Sequence, residues 1–298
     1  MTATPNLGFI GLGAMGEPMA ASLLRAGFRL TVAAHRRREP LERLVGTGAI
    51  EAADPAAVAA ASDIVILCVP DAPQVEQSLF GERGAVHGLR RDSAVIDMST
   101  ISPIASKTFS QRLAGHGVQF VDAPVSGGPA RAKEGTLTIM VGADRPVFDR
   151  VETVLRAMGT PYYLGGIGMG ETVKLVNQII IANVMIANAE ALVFARKAGA
   201  DLEAVRKVIA TATGSNYVLD QWLPKTWFAG SFEGGFAMDL LRKDVAAALD
   251  AARTMGYAMP ATGLAYQLYT ARSAEGDGAL DYSAIAKSYE RIAGDEAL

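Results

Sequence analysis

Lys174, Asn177 and Gln178 stand within five residues of one another in Gly168-Met169-Gly170-Glu171-Thr172-Val173-Lys174-Leu175-Val176-Asn177-Gln178. On a helix, positions three and four apart are neighbours, so this segment puts a cation and two amides on one face. A lysine in the first turns of a helix sits against the positive end of the dipole. Partial burial works in the same direction, and both lower the lysine pKa toward the range useful for proton transfer. A second constellation is Gly11-Leu12-Gly13-Ala14-Met15-Gly16, which follows the apolar run Leu7–Ile10 and precedes a helical pattern. Gly11 permits a tight turn, Gly13 lets a pyrophosphate approach the backbone, and Gly16 lets helix and strand pack closely. The whole segment, with Leu12, Ala14 and Met15, is a candidate dinucleotide site, since the helix start offers N–H groups to phosphate.

The residue that reads the adenosine ribose belongs at the end of the second strand. An Asp or Glu there would accept from a 2′-hydroxyl. The chain instead has Ala33-Ala34-His35-Arg36-Arg37-Arg38, with Glu39 beyond. Guanidinium groups suit a phosphate, so His35, Arg36 and Arg37 point to NADP(H) over NAD(H). Val69 and Pro70 end a further apolar run and join the candidate cofactor set. Two more loops lie at strand ends, Asp97-Met98-Ser99-Thr100 and Asp122-Ala123-Pro124-Val125-Ser126-Gly127-Gly128-Pro129. Ser126, Gly127 and Gly128 can offer a hydroxyl and consecutive N–H groups to a carboxylate, although such a tripeptide also serves as a plain turn. Asp239 and Lys243 are four apart, with Asp244 next, and spacing alone reads as an intrahelical ion pair on a wet face.

The elements that must position these residues fall into two halves. Apolar runs at 7–10, 30–34, 64–69, 94–98 and 118–121 alternate with helix-length segments, and further strands are expected at 136–141 and 162–164. Uninterrupted apolar strands separated by helices imply an α/β fold with a parallel, doubly wound sheet covered on both faces. From Glu171 to Ala198 there is one long segment without Pro or Gly, apolar nearly all round, so more than one face is expected to pack. Further helices are expected at 201–212, 236–255, 261–274 and 282–292. The division expected is a dinucleotide-binding domain at 1–166 and an all-helical domain at 167–298, joined by the long helix.

Composition narrows the function classes. Half the residues are hydrophobic and the net charge is -3, which gives no reason to expect a nucleic-acid partner. Cys68 is the only cysteine, so no internal disulfide forms, and His35, His87 and His116 show no metal-ligand spacing. Cys68 reads as a buried structural thiol. Asn183, Asn188 and Glu190 interrupt the most apolar stretch, which reads as a core helix and not a membrane span. The cytoplasm is the expected compartment.

Taken together, the motifs resemble the β-hydroxyacid dehydrogenase family, and in particular its tartronate semialdehyde reductase and 3-hydroxyisobutyrate dehydrogenase branches. The resemblance runs over almost the whole chain. It rests on Gly-Phe-Ile-Gly-Leu-Gly-Ala-Met-Gly at 8–16, Asp-Met-Ser-Thr-Ile-Ser-Pro from 97, Asp-Ala-Pro-Val-Ser-Gly-Gly from 122, Gly-x-Gly-x-x-x-Lys-x-x-Asn from 168, and Lys-Asp at 243–244. It implies an N-terminal Rossmann domain, an all-α C-terminal domain and a homodimer or homotetramer. It implies that Lys174 is the catalytic acid/base, and that Ser126, Gly127 and Gly128 hold the carboxylate of a small substrate. Asn177, Gln178 and Asp239 join the substrate-binding set. Thr100 and Lys243 would line the nicotinamide pocket. The pair Asn177-Gln178 looks like the tartronate semialdehyde reductase form. Ala34 departs from the acidic residue of NAD-using members, in agreement with the arginine reading. Imine reductases share the architecture but usually carry Asp or Tyr where Lys174 stands.

Overall fold

The computed structural model describes residues 4–35 and 37–294. The chain forms two compact units, Met1–Lys174 and Leu175–Leu298. In the first unit, β1 (Leu7–Ile10), β2 (Leu30–Ala33), β3 (Ile50–Glu51), β4 (Ile64–Leu67), β5 (Ala94–Asp97) and β6 (Gln119–Asp122) make one parallel sheet in the order β3-β2-β1-β4-β5-β6. The intervening helices are α1 (Gly16–Arg25), α2 (Glu39–Val45), α3 (Pro55–Ala60), α4 (Ala72–Phe80) and α5 (Pro103–Ala114). Successive strand residues point to opposite faces. Ile64 and Ile66 accordingly join one apolar cluster with Leu7, Phe9 and Leu30, while Val65 and Leu67 join another with Ile10, Val95 and Phe120. Burial on both faces is why these strands read as continuous apolar runs.

A smaller sheet follows. β7 (Val125–Ser126) pairs antiparallel with β8 (Leu137–Val141), and β8 pairs parallel with β9 (Gly159–Tyr163). α6 (Gly128–Glu134) and α7 (Arg145–Arg156) connect them. Two strands, β3 and β7, are absent from the sequence reading because each has only two residues, too few for a periodic signal. The strand expected at 162–164 starts earlier, at Gly159, and carries Pro161.

The long helix α8 spans Met169–Lys197, roughly 44 Å at 1.5 Å per residue. The second unit continues with α9 (Leu202–Ile209), α10 (Met238–Thr254), α11 (Pro260–Arg272) and α12 (Ala286–Ile292). Ala182, Met185, Ala189 and Leu192 of α8 form a stripe at helical spacing and pack with Trp227, Tyr269 and Ile285. The expectation that several faces of this helix are packed needs correction, because Val176, Ile180 and Phe194 are exposed. Hydrophobic residues all round a helix do not by themselves say which face is covered. The helix expected at 282–292 is also two pieces. Asp281 accepts the Ser283 N–H at 3.0 Å and starts a tight 3₁₀ turn, Tyr282–Ile285, before α12.

Candidate active site

The strand order places β1 beside both β2 and β4, so the chain leaves the sheet in opposite directions there. Ligands of open parallel sheets bind at the carboxyl ends of strands beside such a switch. The Gly11–Gly16 loop occupies that position. Gly11 has φ +101°, and a Cβ on it would collide with the Cys68 carbonyl. A Cβ on Gly16 would collide with the Gly11 carbonyl and stand 3.0 Å from Phe9. Gly13 is different, since a Cβ there meets nothing within 4 Å, and Gly13 and Ala14 are exposed. Two glycines are thus required by packing and the third faces open space where a pyrophosphate fits. No side chain caps the start of α1, where the Glu17 N–H donates to the Gly13 carbonyl at 3.0 Å.

The next strand ends lace together. The Cys68 N–H donates to the Ile10 carbonyl and the Met98 N–H to that of Leu67. The Val69 N–H donates to Ser99 Oγ at 3.0 Å, and the Ser99 N–H donates to Asp97 Oδ1 at 3.0 Å. Asp97 is fully buried, Thr100 and Val69 are half-buried and Pro70 is exposed. Asp97 and Ser99 therefore fix the loops carrying Val69, Pro70 and Thr100, a role that spacing did not reveal. A buried Asp ending an apolar strand was the available signal. Cys68 is half-buried, and burial, with the charge of Asp97, pushes its thiol up to about 12.

At the end of β2, His35 and Arg37 are exposed, and Arg36 lies outside the described residues. Arg38 turns to the carboxylates of Glu51, at 2.9 Å, and Glu42, at 3.7 Å. Glu17, in the first turn of α1, is held below the usual carboxylate range by the hydrogen bond from Arg43 and by the charges of Arg43 and Arg37.

The third group of loops joins β6 to α8. Asp122 is fully buried. Its carboxylate accepts the Gly168 N–H at 2.7 Å and the Glu171 N–H at 3.0 Å. Lys174 follows one turn later and is only 7% exposed. Downstream of Asp122, Ser126 is half-buried in β7, and Gly127 and Gly128 have φ of +134° and +69°. Positive φ at two consecutive residues suits glycine, and such turns can direct N–H groups toward an anion.

In the second unit the structure brings Asn177, Gln178, Lys243 and Asp244 into one polar chain. Asn177 Nδ2 donates to Gln178 Oε1 at 2.9 Å, Gln178 Nε2 donates to Asp244 Oδ2 at 2.6 Å, and Lys243 Nζ lies 2.7 Å from Asp244 Oδ1. Gln178 is 1% exposed and engaged at both ends of its amide, while Asn177 is half-buried. The Asp239–Lys243 pair expected from spacing does not form. Asp239, exposed at the start of α10, accepts from Ser273 Oγ at 2.6 Å and Arg242 Nε at 3.1 Å. Lys243 goes to Asp244, whose buried carboxylate is the less screened partner. Asp239 therefore stays outside the polar chain.

Comparison with known proteins closes the identification. Residues 6–170 match the NAD binding domain of 6-phosphogluconate dehydrogenase, and residues 168–289 match the NAD-binding domain of NADP-dependent 3-hydroxyisobutyrate dehydrogenase. The 2-hydroxy-3-oxopropionate reductase of Escherichia coli (strain K12) is 41% identical over 97% of this chain and 98% of its own length. The chain belongs to the β-hydroxyacid dehydrogenase family. A second member, the 2-(hydroxymethyl)glutarate dehydrogenase of Eubacterium barkeri, is 38% identical over 99% of this chain and 98% of its own. Among solved structures, the Mycobacterium tuberculosis 3-hydroxyisobutyrate dehydrogenase with L-serine superposes with a TM-score of 0.88 at 29% identity, covering 96% of this chain and 99% of that one. As a β-hydroxyacid dehydrogenase the protein is an NAD(P)-dependent oxidoreductase, acting on the CH–OH group of a hydroxy acid or on the matching oxo group.

Proposed function

We propose that this enzyme reduces a short aldehyde bearing a carboxylate, such as tartronate semialdehyde, to the 3-hydroxy acid, and that it prefers NADPH. The observation that carries this reading is the burial of Lys174, one turn beyond the N–H groups that Asp122 holds. A lysine shielded from water on a helix tethered to the segment bearing Ser126–Gly128 suits proton transfer to a substrate held by its carboxylate. Ser126 Oγ and the N–H groups of Gly127 and Gly128 bind that carboxylate and orient the carbonyl. Lys174, as ammonium, donates a proton to the oxygen as negative charge develops there, and as neutral amine it accepts the proton in the reverse oxidation. The Gly11–Gly16 loop would hold the dinucleotide that supplies the hydride. Leu12, Gly13 and Ala14 bind its pyrophosphate, and His35, Arg36 and Arg37 read the 2′-phosphate. Val69, Pro70 and Thr100 flank the rest of it.

For the second unit the family pattern implies a substrate contact for Asn177 and a cofactor contact for Lys243. Gln178 supports Asn177 by fixing its amide. Residues 1–166 bind the dinucleotide, and residues 167–298 serve substrate binding and assembly into a cytoplasmic homodimer or homotetramer.

The test is a panel of glyoxylate, tartronate semialdehyde, methylmalonate semialdehyde and succinic semialdehyde with each cofactor, followed by absorbance of the reduced nicotinamide. The highest kcat/KM is expected with tartronate semialdehyde and NADPH. A higher value with methylmalonate semialdehyde would move the protein to the 3-hydroxyisobutyrate branch.

A further inference from the structure

We propose that Asp122 is a positioning residue that fixes Lys174 relative to the carboxylate-binding segment and so sets the substrate's chain length. The inference rests on the roles given above to Lys174 and to Ser126–Gly128. Asp122 belongs to both pieces of that machinery. Its main chain ends β6 and leads within four residues to Ser126, and its side chain holds the first turn of α8. The main chain is itself fixed, for the Asp122 N–H donates to the Gly142 carbonyl at 3.0 Å and the Gly142 N–H donates back at 2.8 Å.

The surroundings press close on the carboxylate. A Cβ on Gly142 would stand 2.6 Å from Oδ1 and 2.7 Å from Oδ2, and one on Gly170 would stand 2.9 Å from Oδ2. Gly142 is therefore required first of all by the acid, whereas at Gly170 a Cβ would meet the Met140 carbonyl before it met the acid. Two charge-assisted N–H bonds into a closed seat are directional and stiff. Lys174 follows Glu171 by three residues, about 4.5 Å along the helix axis, so its height follows from where that turn is held. With clamp and lysine fixed, only one separation between carboxylate and carbonyl brings the oxygen to Nζ. Two-, three- and four-carbon aldehyde carboxylates differ in that separation.

Asp122→Asn keeps the shape but sets an NH₂ group against one of the two N–H donors. Expected is a fall in kcat of about 10- to 100-fold on the three-carbon substrate, the scale associated with misplacing a reacting group by about 1 Å. NADPH affinity should be unchanged. The selectivity between glyoxylate, tartronate semialdehyde and succinic semialdehyde should flatten at least threefold. A variant that slows all three substrates by one common factor would overturn the proposal, as would one with wild-type rates and selectivity. If Asp122→Asn fails to fold, Gly142→Ala presses on the same carboxylate, and on the Gly170 nitrogen at the start of α8, without removing the charge, and the same flattening decides. Lys174→Ala, run alongside, separates the two levels of argument. High residual activity there breaks the acid/base reading, whereas an inactive Lys174→Ala beside a wild-type Asp122→Asn breaks only this inference.

Discussion

The two ends of the candidate site are built in opposite ways. At the end of β2, the segment proposed to read the ribose is exposed and charged among its described residues, and Arg38 is held by Glu51 and Glu42 at the surface. At the end of β6, Asp122 and Lys174 are buried, and the carboxylate of Asp122 is held by main-chain donors and boxed in by glycines. The first arrangement suits recognition of a charge that arrives with its own solvent shell. The second suits chemistry, where a few tenths of an ångström matter. On the proposed roles, the difference separates a contact that sets preference from a contact that sets rate.

The largest effect should come from the buried end. Lys174→Ala is expected to lower kcat by about 10²- to 10⁴-fold with NADPH binding intact, measured by steady-state rates and by titration of nicotinamide fluorescence. A residual rate above roughly a tenth of wild type would break the contrast.

Next is the cost of the buried acid. Burial raises Asp122 from 3.8 to about 6, partly offset by hydrogen bonds from the main chain. Its folded pKa lies above the unfolded one, so the folded state holds the proton more tightly. Stability from this group is full below about pH 4 and is lost as pH rises through about 6, a difference of about 3 kcal/mol. Denaturant midpoints of wild type should therefore fall relative to Asp122→Asn between pH 4 and pH 6. Parallel curves would mean that Asp122 is charged at little cost.

The exposed end should respond more weakly. Neutralising Arg36 and Arg37 together should raise the KM for NADPH about tenfold or more and leave that for NADH nearly unchanged, since a hydrogen bond to a charged group contributes about 1.5–3 kcal/mol. The wild-type preference should shrink as salt rises. A wild type that prefers NADH would assign ribose recognition to Glu39 or a main-chain group. The smallest effect is that of Ser126→Ala, where two N–H donors survive. KM for the aldehyde acid should rise roughly 3- to 10-fold with kcat within about twofold. An unchanged KM would remove Ser126 from the clamp.

How much of this could be read from the sequence follows from the same division. The glycine loop was legible because two of its glycines answer distinct steric demands and the third leaves the backbone open, and the strands because burial on both faces leaves an unbroken apolar run. Lys174 stood out as a cation in an apolar helix. Asp122 and Asp244 did not, since their importance lies in main-chain or side-chain partners dozens of residues away, Gly168 for Asp122 and Gln178 for Asp244. The Asp239–Lys243 pairing failed for a related reason. Helical spacing says which side chains can meet, but burial at Asp244 decided which of them do.

The ribose-reading segment also bears on how such an enzyme changes over time. His35, Arg37 and Arg38 are all exposed and contribute nothing to the apolar cores. Substitutions at such positions usually alter stability by no more than about 0.5 kcal/mol. On the proposed role of this segment, cofactor choice can drift, or be redirected in the laboratory, by point changes that the fold does not resist. Descendants of one scaffold can thus draw on different cellular pools of reducing equivalents while Asp122 and Lys174 stay as they are.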